Sequence, residues 1–436
     1  MAGEWRESTI GEIAAPVRNA LVGGPFGSNL VSRDYVDVGV PVIRGQNMGS
    51  RWVSGEFAYV TDAKADSLDA NLARPGDIVF TQRGTLGQVS VVPSAKFDRY
   101  LVSQSQMKLT VNRELADPLF IYYVFSTAEQ QDYIRQNAIQ TGVPHTNLGI
   151  LRGTPVPLPP LPEQHAIAHI LGTLDDKIEL NRRMNETLEA MARALFESWF
   201  VDFDPVRAKA EGRDPGLPQP LADLFPARLV DSELGEIPEG WEVGTLGDVA
   251  EQSRGGVRPD QIVPMTPYIA LEHMPKRCIA LSDWGSAEGL QSNKFEFNRG
   301  EILFGKLRPY FHKVGVAPVD GVCSTDVVVV VPQGPAWFGF VLGHVSSVEF
   351  VEYTDAGSTG TKMPRTSWSD MARYELALPP EPVAPSFTEL MQPTVDRIVE
   401  AIHESRTLAA LRDTLLLKLI SGELRVKNAE RIVEMN

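Results

Sequence analysis

Two long stretches of the chain carry apolar residues at alternating intervals of three and four positions. This spacing places the apolar side chains on one face of an α-helix. We therefore predict a central spacer helix over residues 161–202 and a C-terminal spacer helix over residues 381–425. The amphipathic pattern of the first helix runs from about Glu163 to Phe200, roughly 38 residues, and at 1.5 Å per residue it is expected to be about 57 Å long.

The apolar stripe on each helix is narrow, which is typical of a coiled-coil seam. Two narrow seams in one chain predict an antiparallel pair of helices, although each helix could instead pack against its own domain. Asn181 and Asn185 fall within the first seam, where buried polar residues fix the register between helices. The predicted seam consists of Ile167, Leu171, Leu174, Ile178, Asn181, Asn185, Leu188, Leu195, Val395, Ile398, Ile402, Leu408, Leu411, Leu415 and Leu419.

Outside these stretches the apolar residues form short runs, such as DIVF, VSVV and EILF, bounded by Gly, Pro and Asn. Such runs predict strands and turns in α+β domains. Residues 203–239 are rich in Pro, Gly and charge, and we interpret them as an ordered but irregular linker. The linker separates a first globular domain, residues 1–160, from a second, residues 240–380.

The two predicted domains repeat one another. WRESTIGEIA near the N-terminus aligns without a gap with WEVGTLGDVA after the linker, and further matches follow in the same order. A long ordered repeat predicts two copies of one folded unit. The matched segments are 5–14 with 241–250, 41–48 with 267–274, 75–80 with 299–304, 142–146 with 362–366, and 156–160 with 376–380.

The formal net charge of −15 argues against a protein that coats nucleic acid through a uniformly basic surface. Residues 161–235 hold 8 basic against 14 acidic residues, whereas residues 1–160 are nearly neutral at 14 against 15. Two cysteines exclude a disulfide framework and a four-cysteine zinc site. With no signal-peptide pattern and no apolar stretch long enough to span a bilayer, we expect a cytoplasmic protein and no membrane partner.

Several strings resemble the specificity subunits of Type I restriction–modification systems. They are LPPLPEQHAIAHILGTLDDK and its helical continuation, IPEGWEVGTLGDV, RGEILFGKLRPYFHKVGVAPVDGVCSTD, and STGTKMPRTSW. The resemblance implies a pseudo-two-fold protein with two target-recognition domains, each binding half of a bipartite, asymmetric double-stranded DNA site. It also implies that the helices set the spacing of the half-sites.

The same resemblance implies partners and a division of labour. Two methyltransferase subunits would dock on this chain and use S-adenosylmethionine to modify adenine, and motor-nuclease subunits would use ATP and Mg. This chain would bind no cofactor and would itself be non-catalytic.

Base reading needs planar donors and acceptors, and phosphate binding needs cations and hydroxyls. We therefore expect DNA contacts from such residues in the loops of both domains. Arg83 and Arg308 stand out because each follows the repeated DIVF or EILF strand. The predicted DNA-contacting residues are Arg44, Gln46, Asn47, Gln82, Arg83, Thr85, Gln104, His145, Lys306, Arg308, Tyr310, His312, Lys313, Lys362 and Arg365.

Catalytic and metal motifs do not emerge from the sequence. DFDPV lacks the second proline and the aromatic residue of an aminomethyltransferase motif, and GSTGTK is too short for a phosphate loop. His165 and His169 are four residues apart but have no evident third ligand. We predict no catalytic or metal-binding residue, and two other function classes stay open: a DNA-binding regulator that needs no partner, and a stand-alone nuclease.

Overall fold

The chain folds into two compact units. Unit 1 consists of Met1–Asp176 and Ala409–Asn436, and unit 2 consists of Lys177–Leu408. Each unit therefore includes a globular region and a segment of both long helices. The structure is a computed structural model that describes residues 5–94, 96–140, 143–253, 255–358 and 363–426.

Short strands and helices make up the globular part of unit 1. Its strands are β1 (Arg6–Thr9), β2 (Leu21–Gly23), β3 (Tyr35–Val36), β4 (Val40–Ile43), β5 (Ala58–Val60), β6 (Leu72–Ala73), β7 (Ile78–Thr81), β8 (Val89–Val91), β9 (Tyr100–Val102), β10 (Gln106–Leu109) and β11 (Pro155–Leu158). Its helices are α1 (Ile10–Ile13), α2 (Asp62–Ser67), α3 (Pro118–Ser126), α4 (Ala128–Asn137) and α5 (Leu148–Gly153).

The strands of unit 1 form an antiparallel sheet in the order β2-β10-β7-β8 and a mixed sheet in the order β3-β5-β4-β9-β6. Successive side chains of β7 point to opposite faces. Ile78 and Phe80 belong to the core that includes α3, whereas Val79 packs in a cluster with Tyr100 and Val102 of the mixed sheet. Because both faces of β7 are buried, the position of this strand is fixed. The position at which the following loop begins is therefore fixed as well.

The first of two long helices, α6 (Leu161–Phe200), follows β11 and runs from unit 1 into unit 2. Unit 2 continues after α6 with α7 (Asp204–Ala210), α8 (Gln219–Ala222), β12 (Leu229–Ser232), β13 (Gly235–Pro238), β14 (Glu242–Thr245), β15 (Ala250–Gln252), β16 (Gly256–Val257), β17 (Pro267–Ile269), β18 (Gly285–Ser286) and β19 (Lys294–Phe297). It ends with β20 (Ile302–Gly305), β21 (Val314–Val316), β22 (Gly321–Cys323), β23 (Val327–Pro332), α9 (Phe338–Val345), α10 (Val348–Ala356), α11 (Trp368–Met371), β24 (Glu375–Leu378) and α12 (Val383–Ile420).

The sheets of unit 2 repeat those of unit 1. The order β15-β23-β20-β21 corresponds to β2-β10-β7-β8, and the parallel pair of β17 with β22 corresponds to that of β4 with β9. The repeat includes local detail, because Thr9 and Thr245 each form a capping box with an acidic residue three positions later. The predicted α+β class, with two similar globular domains and two long helices, is confirmed.

Within each unit α6 and α12 pack against each other. In unit 1, Ile167 and Leu171 share a core with Leu416 and Leu419, and in unit 2, Leu188 packs against Ile398 and Ile402. Asn181 and Asn185 are buried in unit 2, while Leu174, Ile178 and Leu195 are half-buried. Val395 is buried, and Leu408 and Leu415 are half-buried.

The predicted seam of α12 is wrong at Leu411, whose side chain is 47% exposed. On the face of α12 that packs against α6, the spacing of three and four residues runs from Ser405 through Ala409 and Arg412 to Leu416. Arg412 replaces a leucine there because its guanidinium donates to Asp175 Oδ1 at 2.7 Å within unit 1. The predicted seam followed the leucines at 408, 411 and 415. Each of these lies one residue before a position that faces α6.

The predicted irregular linker is corrected as well. Residues 203–239 contain α7, α8 and the hairpin of β12 with β13. Pro205 lies at the start of α7, where its missing N–H costs nothing. Val206 and Phe225 are buried with Trp199 and Trp241, so apolar anchors order a segment that is otherwise polar.

Candidate nucleic-acid interface

In unit 1, backbone hydrogen bonds join three loops at the end of β7. Gln82 N donates to Ser105 O at 2.7 Å, and Thr146 N donates to Gln82 O at 2.9 Å. Arg83 and His145 form an antiparallel bridge between two of the loops. We call the loops 82–85, 103–105 and 145–146 the unit 1 loop frame, and it brings together Gln82, Arg83, Thr85, Gln104 and His145 of the predicted set.

Some of these side chains are exposed on the frame, and others are buried in it or form hydrogen bonds to neighbouring loops. Arg83 and Thr85 are exposed, and Arg83 forms no ion pair with any residue that the structure describes. Gln104 Nε2 donates to Gly27 O at 2.8 Å and Leu30 O at 2.9 Å, so it holds the neighbouring loop. Gln82 is 7% exposed, and it contributes to the frame mainly through its backbone.

The loop after β4 lies next to the frame, because Ser103 N donates to Ile43 O at 3.0 Å. Arg44 lines a polar hollow with Tyr35, Ser103 and Gln104, and its Nε is buried without a partner in the described structure. Gln46 Nε2 donates to Glu56 O at 3.2 Å.

The prediction of a DNA contact is wrong for Asn47, which is 1% exposed. Asn47 Nδ2 donates to Ser54 O and Glu56 O, and its Oδ1 accepts from Arg44 N. The amide therefore ties down the turn after β4 and leaves no group to face a base.

Unit 2 repeats three backbone hydrogen bonds of the loops described for unit 1. Lys306 N donates to Asp326 O at 2.9 Å, Thr366 N donates to Lys306 O at 3.1 Å, and Ser324 N donates to Ile269 O at 3.0 Å. The bridge between Arg83 and His145 corresponds to one between Leu307 and Arg365. We call the loops 306–308, 324–326 and 365–366 the unit 2 loop frame.

Cations and rings surround the unit 2 frame. Arg365 is 52% exposed and pairs with Asp326 at 3.1 Å, while Tyr310 is 49% exposed. Arg308 adopts a left-handed conformation with φ of 53° and lies 6.0 Å from the Phe311 ring, with its Nε buried and unpartnered. Lys306 is half-buried. The predicted Lys362 lies outside the described residues.

Two predicted contacts in unit 2 are turned inward. His312 is 7% exposed, its Nε2 lies 2.9 Å from Ser346 O, and burial lowers its pKa. Lys313 Nζ donates to Leu271 O, and burial together with Lys276 lowers its pKa. A DNA contact through the His312 side chain is therefore wrong, and the Lys313 ammonium is already bound to the protein.

Sequence reasoning missed the residue that truly corresponds to Arg83. Arg308 was the expected counterpart, but the bridges align Arg83 with Leu307 and His145 with Arg365. It also missed Thr325, an exposed residue in the position of Gln104, and Asp326. Extending the DIVF and EILF alignment without a gap would have found Leu307, because Arg83 and Leu307 are both five residues beyond the Ile that opens the strand.

Comparison with known proteins relates the first part of the chain to one family. Residues 3–190 match the family model of the Type I restriction modification DNA specificity domain. This part of the chain is similar to a Type I specificity domain. The predicted resemblance to Type I specificity subunits is confirmed.

Similarity to specificity subunits extends over almost the whole chain. The Type I restriction enzyme MjaIX specificity subunit of Methanocaldococcus jannaschii is 25% identical over 97% of both chains. The HindI specificity subunit of Haemophilus influenzae is 23% identical over 97% of this chain and 100% of its own. The crystal structure of the S subunit from M. genitalium has the same fold, with a TM-score of 0.58 at 15% identity, covering 96% of this chain and 97% of that one.

A partly buried polar network fastens the globular part of unit 1 to α6. Arg51 donates to Gly172 O at 3.0 Å and Tyr123 Oη at 3.3 Å, and it pairs with Asp176. Tyr123 Oη donates to Asp175 Oδ2 at 2.7 Å, and burial together with Asp175 raises the pKa of Tyr123. Asp175 and Asp176 thus bind partners within the unit.

Across the described ranges, no three His, Cys, Asp or Glu side chains are grouped to hold a metal ion. His165 Nε2 lies 3.8 Å from Asp117 Oδ2. Residues 359–362 of the GSTGTK string lie outside the part of the chain that the structure describes. Within that part, no helix is both long and apolar enough to cross a bilayer.

Proposed function

We propose that this chain is the sequence-reading subunit of a Type I restriction–modification complex and that each unit binds one half of a bipartite double-stranded DNA site. The observation that carries the proposal is the duplicated loop frame, in which the same backbone bonds present different side chains. Two similar but non-identical readers suit an asymmetric target with two different half-sites. The specificity-subunit relatives support the same function.

In this proposal, exposed cations on the two loop frames supply the affinity for DNA. The chain is acidic overall at −15, yet Arg83 and Arg365 are exposed on the frames. Guanidinium groups donate in pairs to guanine O6 and N7 in the major groove, and hydroxyls such as that of Thr85 bind phosphate. Further affinity comes from partner subunits.

Catalysis belongs to those partners. Two methyltransferase subunits that use S-adenosylmethionine would modify adenine, and motor-nuclease subunits that use ATP and Mg would cleave DNA. The chain itself would bind no cofactor, and the paired segments of α6 and α12 would dock the partners and set the spacing of the half-sites. A cytoplasmic location follows from the same assignment.

Reconstitution with the methyltransferase subunit tests the function. We expect the chain alone to leave DNA unmodified, and the complex to methylate adenine within one bipartite sequence. Replacing residues 1–160 by the corresponding region of the HindI subunit should change one half-site and preserve the other. Methylation with an unchanged target would contradict the proposal, and metal-dependent cleavage by the chain alone would identify a nuclease. Tight, salt-sensitive, specific binding without a partner would favour an independent regulator.

A further inference from the structure

We infer that one cross-loop pair in each unit is the base-reading pair: Arg83 with His145 in unit 1, and Leu307 with Arg365 in unit 2. This inference rests on the proposed function and names the side chains that carry it. Both pairs occupy the same antiparallel bridge of the loop frame. Directly opposed residues of such a bridge have Cβ atoms about 4.5–5.5 Å apart, so their side chains project together from one face.

Backbone bonds hold each pair in place independently of its side chains. Thr146 N donates to Gln82 O beside the unit 1 pair, and Thr366 N donates to Lys306 O beside the unit 2 pair. On the other side, Arg83 N donates to Ser105 O at 3.2 Å. The strand before each pair is fully buried, so the pair starts from a rigid element. Its two positions can therefore vary while the frame persists.

Each pair holds one arginine, but the two arginines stand on opposite loops. Arg83 is exposed without an ion pair to any described residue, and its neighbour His145 has Nδ1 3.1 Å from Val143 O. Arg365 is tethered by Asp326 at 3.1 Å and stands beside the apolar Leu307. Unit 1 thus presents an exposed guanidinium, unpaired among the described residues, with an imidazole. Unit 2 presents an oriented guanidinium with an apolar contact.

These chemistries recognise different bases in the major groove. A guanidinium recognises guanine through O6 and N7, and an apolar side chain contacts the methyl group of thymine. Two other cations near the unit 2 frame are already engaged, since Lys313 binds a backbone carbonyl and Lys276 lies 4.4 Å from the Phe311 ring. Each pair therefore recognises bases of the target, and the two half-sites differ in sequence at the positions that the pairs contact.

The test uses the full chain in complex with its methyltransferase subunits, a library of double-stranded DNA with randomised positions, and S-adenosylmethionine. Arg83→Leu should slow methylation of the wild-type site about tenfold or more and relax the preference at one position of one half-site. The double variant R83L/H145R should gain a new preference in that half-site, and L307R/R365H should alter only the other half-site. Arg18→Leu is the matched control, because Arg18 is exposed beside Asp77 at the start of β7 rather than at its end.

The outcomes separate this inference from the proposed function. A wild-type complex that methylates no bipartite sequence would overturn both. If the wild-type complex has a bipartite target and Arg83→Leu leaves its rate and sequence unchanged, the base-reading pair alone is refuted. Equal loss on every sequence with a smaller salt dependence would make Arg83 a phosphate contact and would refute it as well. Thermal melting of each variant shows that it is folded.

Discussion

At the scale of single residues, His344 of unit 2 is a buried histidine surrounded by aromatic rings. Its ring centroid lies 4.8 Å from that of Phe196 and 4.5 Å from that of Phe340. Its Nε2 has no hydrogen-bond partner in the described structure. Burial lowers the pKa of His344 to about 3, so the folded protein holds this side chain neutral.

This neutral histidine should make the stability of unit 2 depend on pH. The unfolded chain takes up the proton below a pKa of about 6.5 while the folded chain does not, so stability falls as the pH drops from about 6.5 toward 3. Replacing His344→Phe should reduce the loss of unfolding free energy between pH 7 and pH 5 by roughly 1–2 kcal/mol. Urea unfolding at both pH values, followed by tryptophan fluorescence, measures this change in unfolding free energy. His165→Phe, at a side chain that is 42% exposed, is the control, and an equal effect there would refute the assignment.

At the scale of elements, the seam of unit 2 contains two asparagines with unequal surroundings. Asn181 Nδ2 donates to Glu404 at 2.8 Å and to Ser405 at 3.2 Å, whereas Asn185 Nδ2 reaches only Ile398 O at 3.5 Å. Both Oδ1 atoms are buried without a partner in the described structure. Asn181 is therefore better satisfied than Asn185, although both occupy one helix face.

Replacing Asn185→Leu should raise the unfolding free energy by about 1 kcal/mol, because it removes a poorly satisfied buried amide beside Ile398. Asn181→Leu is the matched comparison and should stabilise less or destabilise, since it breaks two hydrogen bonds. Denaturant midpoints of the full chain give both values. Equal stabilisation by the two variants would show that the bonds of Asn181 contribute nothing.

The sequence predicted secondary-structure elements more reliably than it predicted side-chain contacts. Apolar spacing located both long helices, and the aligned repeats located the duplicated domains. Spacing could not reveal that Arg412 occupies a seam position, because its carboxylate partner Asp175 is 237 positions away. Asn47 and His312 are chemically suited to bases, and their burial depends on tertiary contacts that no local pattern shows.

At the scale of the whole molecule, unit 1 is built from both ends of the chain. Leu416, Leu419 and Ile420 of α12 belong to the core that also contains the β7 side chains Ile78 and Phe80. Glu163 is buried, and although burial opposes its ionisation, the ion pair with Arg425 lowers its pKa below the ordinary value. The last helical turns of α12 are thus part of unit 1.

Truncation after Leu408 should therefore unfold or strongly destabilise unit 1 and leave unit 2 folded, because it removes several fully buried side chains. Hydrogen exchange measured by mass spectrometry should show loss of protection in β7 and β10 and its retention in β20 and β23. A chain ending at Val426 is the control and should protect both units. Retained protection of β7 in the shorter chain would show that unit 1 folds without α12.

Trp5 and Arg425 pack together in unit 1, near the first and the last of the described residues. The Arg425 guanidinium lies 5.3 Å from the centroid of the Trp5 ring, so a short peptide could join these two positions once residues 1–4 and 427–436 are removed. New ends could then be opened at the exposed turn between β12 and β13, around Leu234, without cutting a core element. Such a circular permutant would begin with the second reader and end with the first.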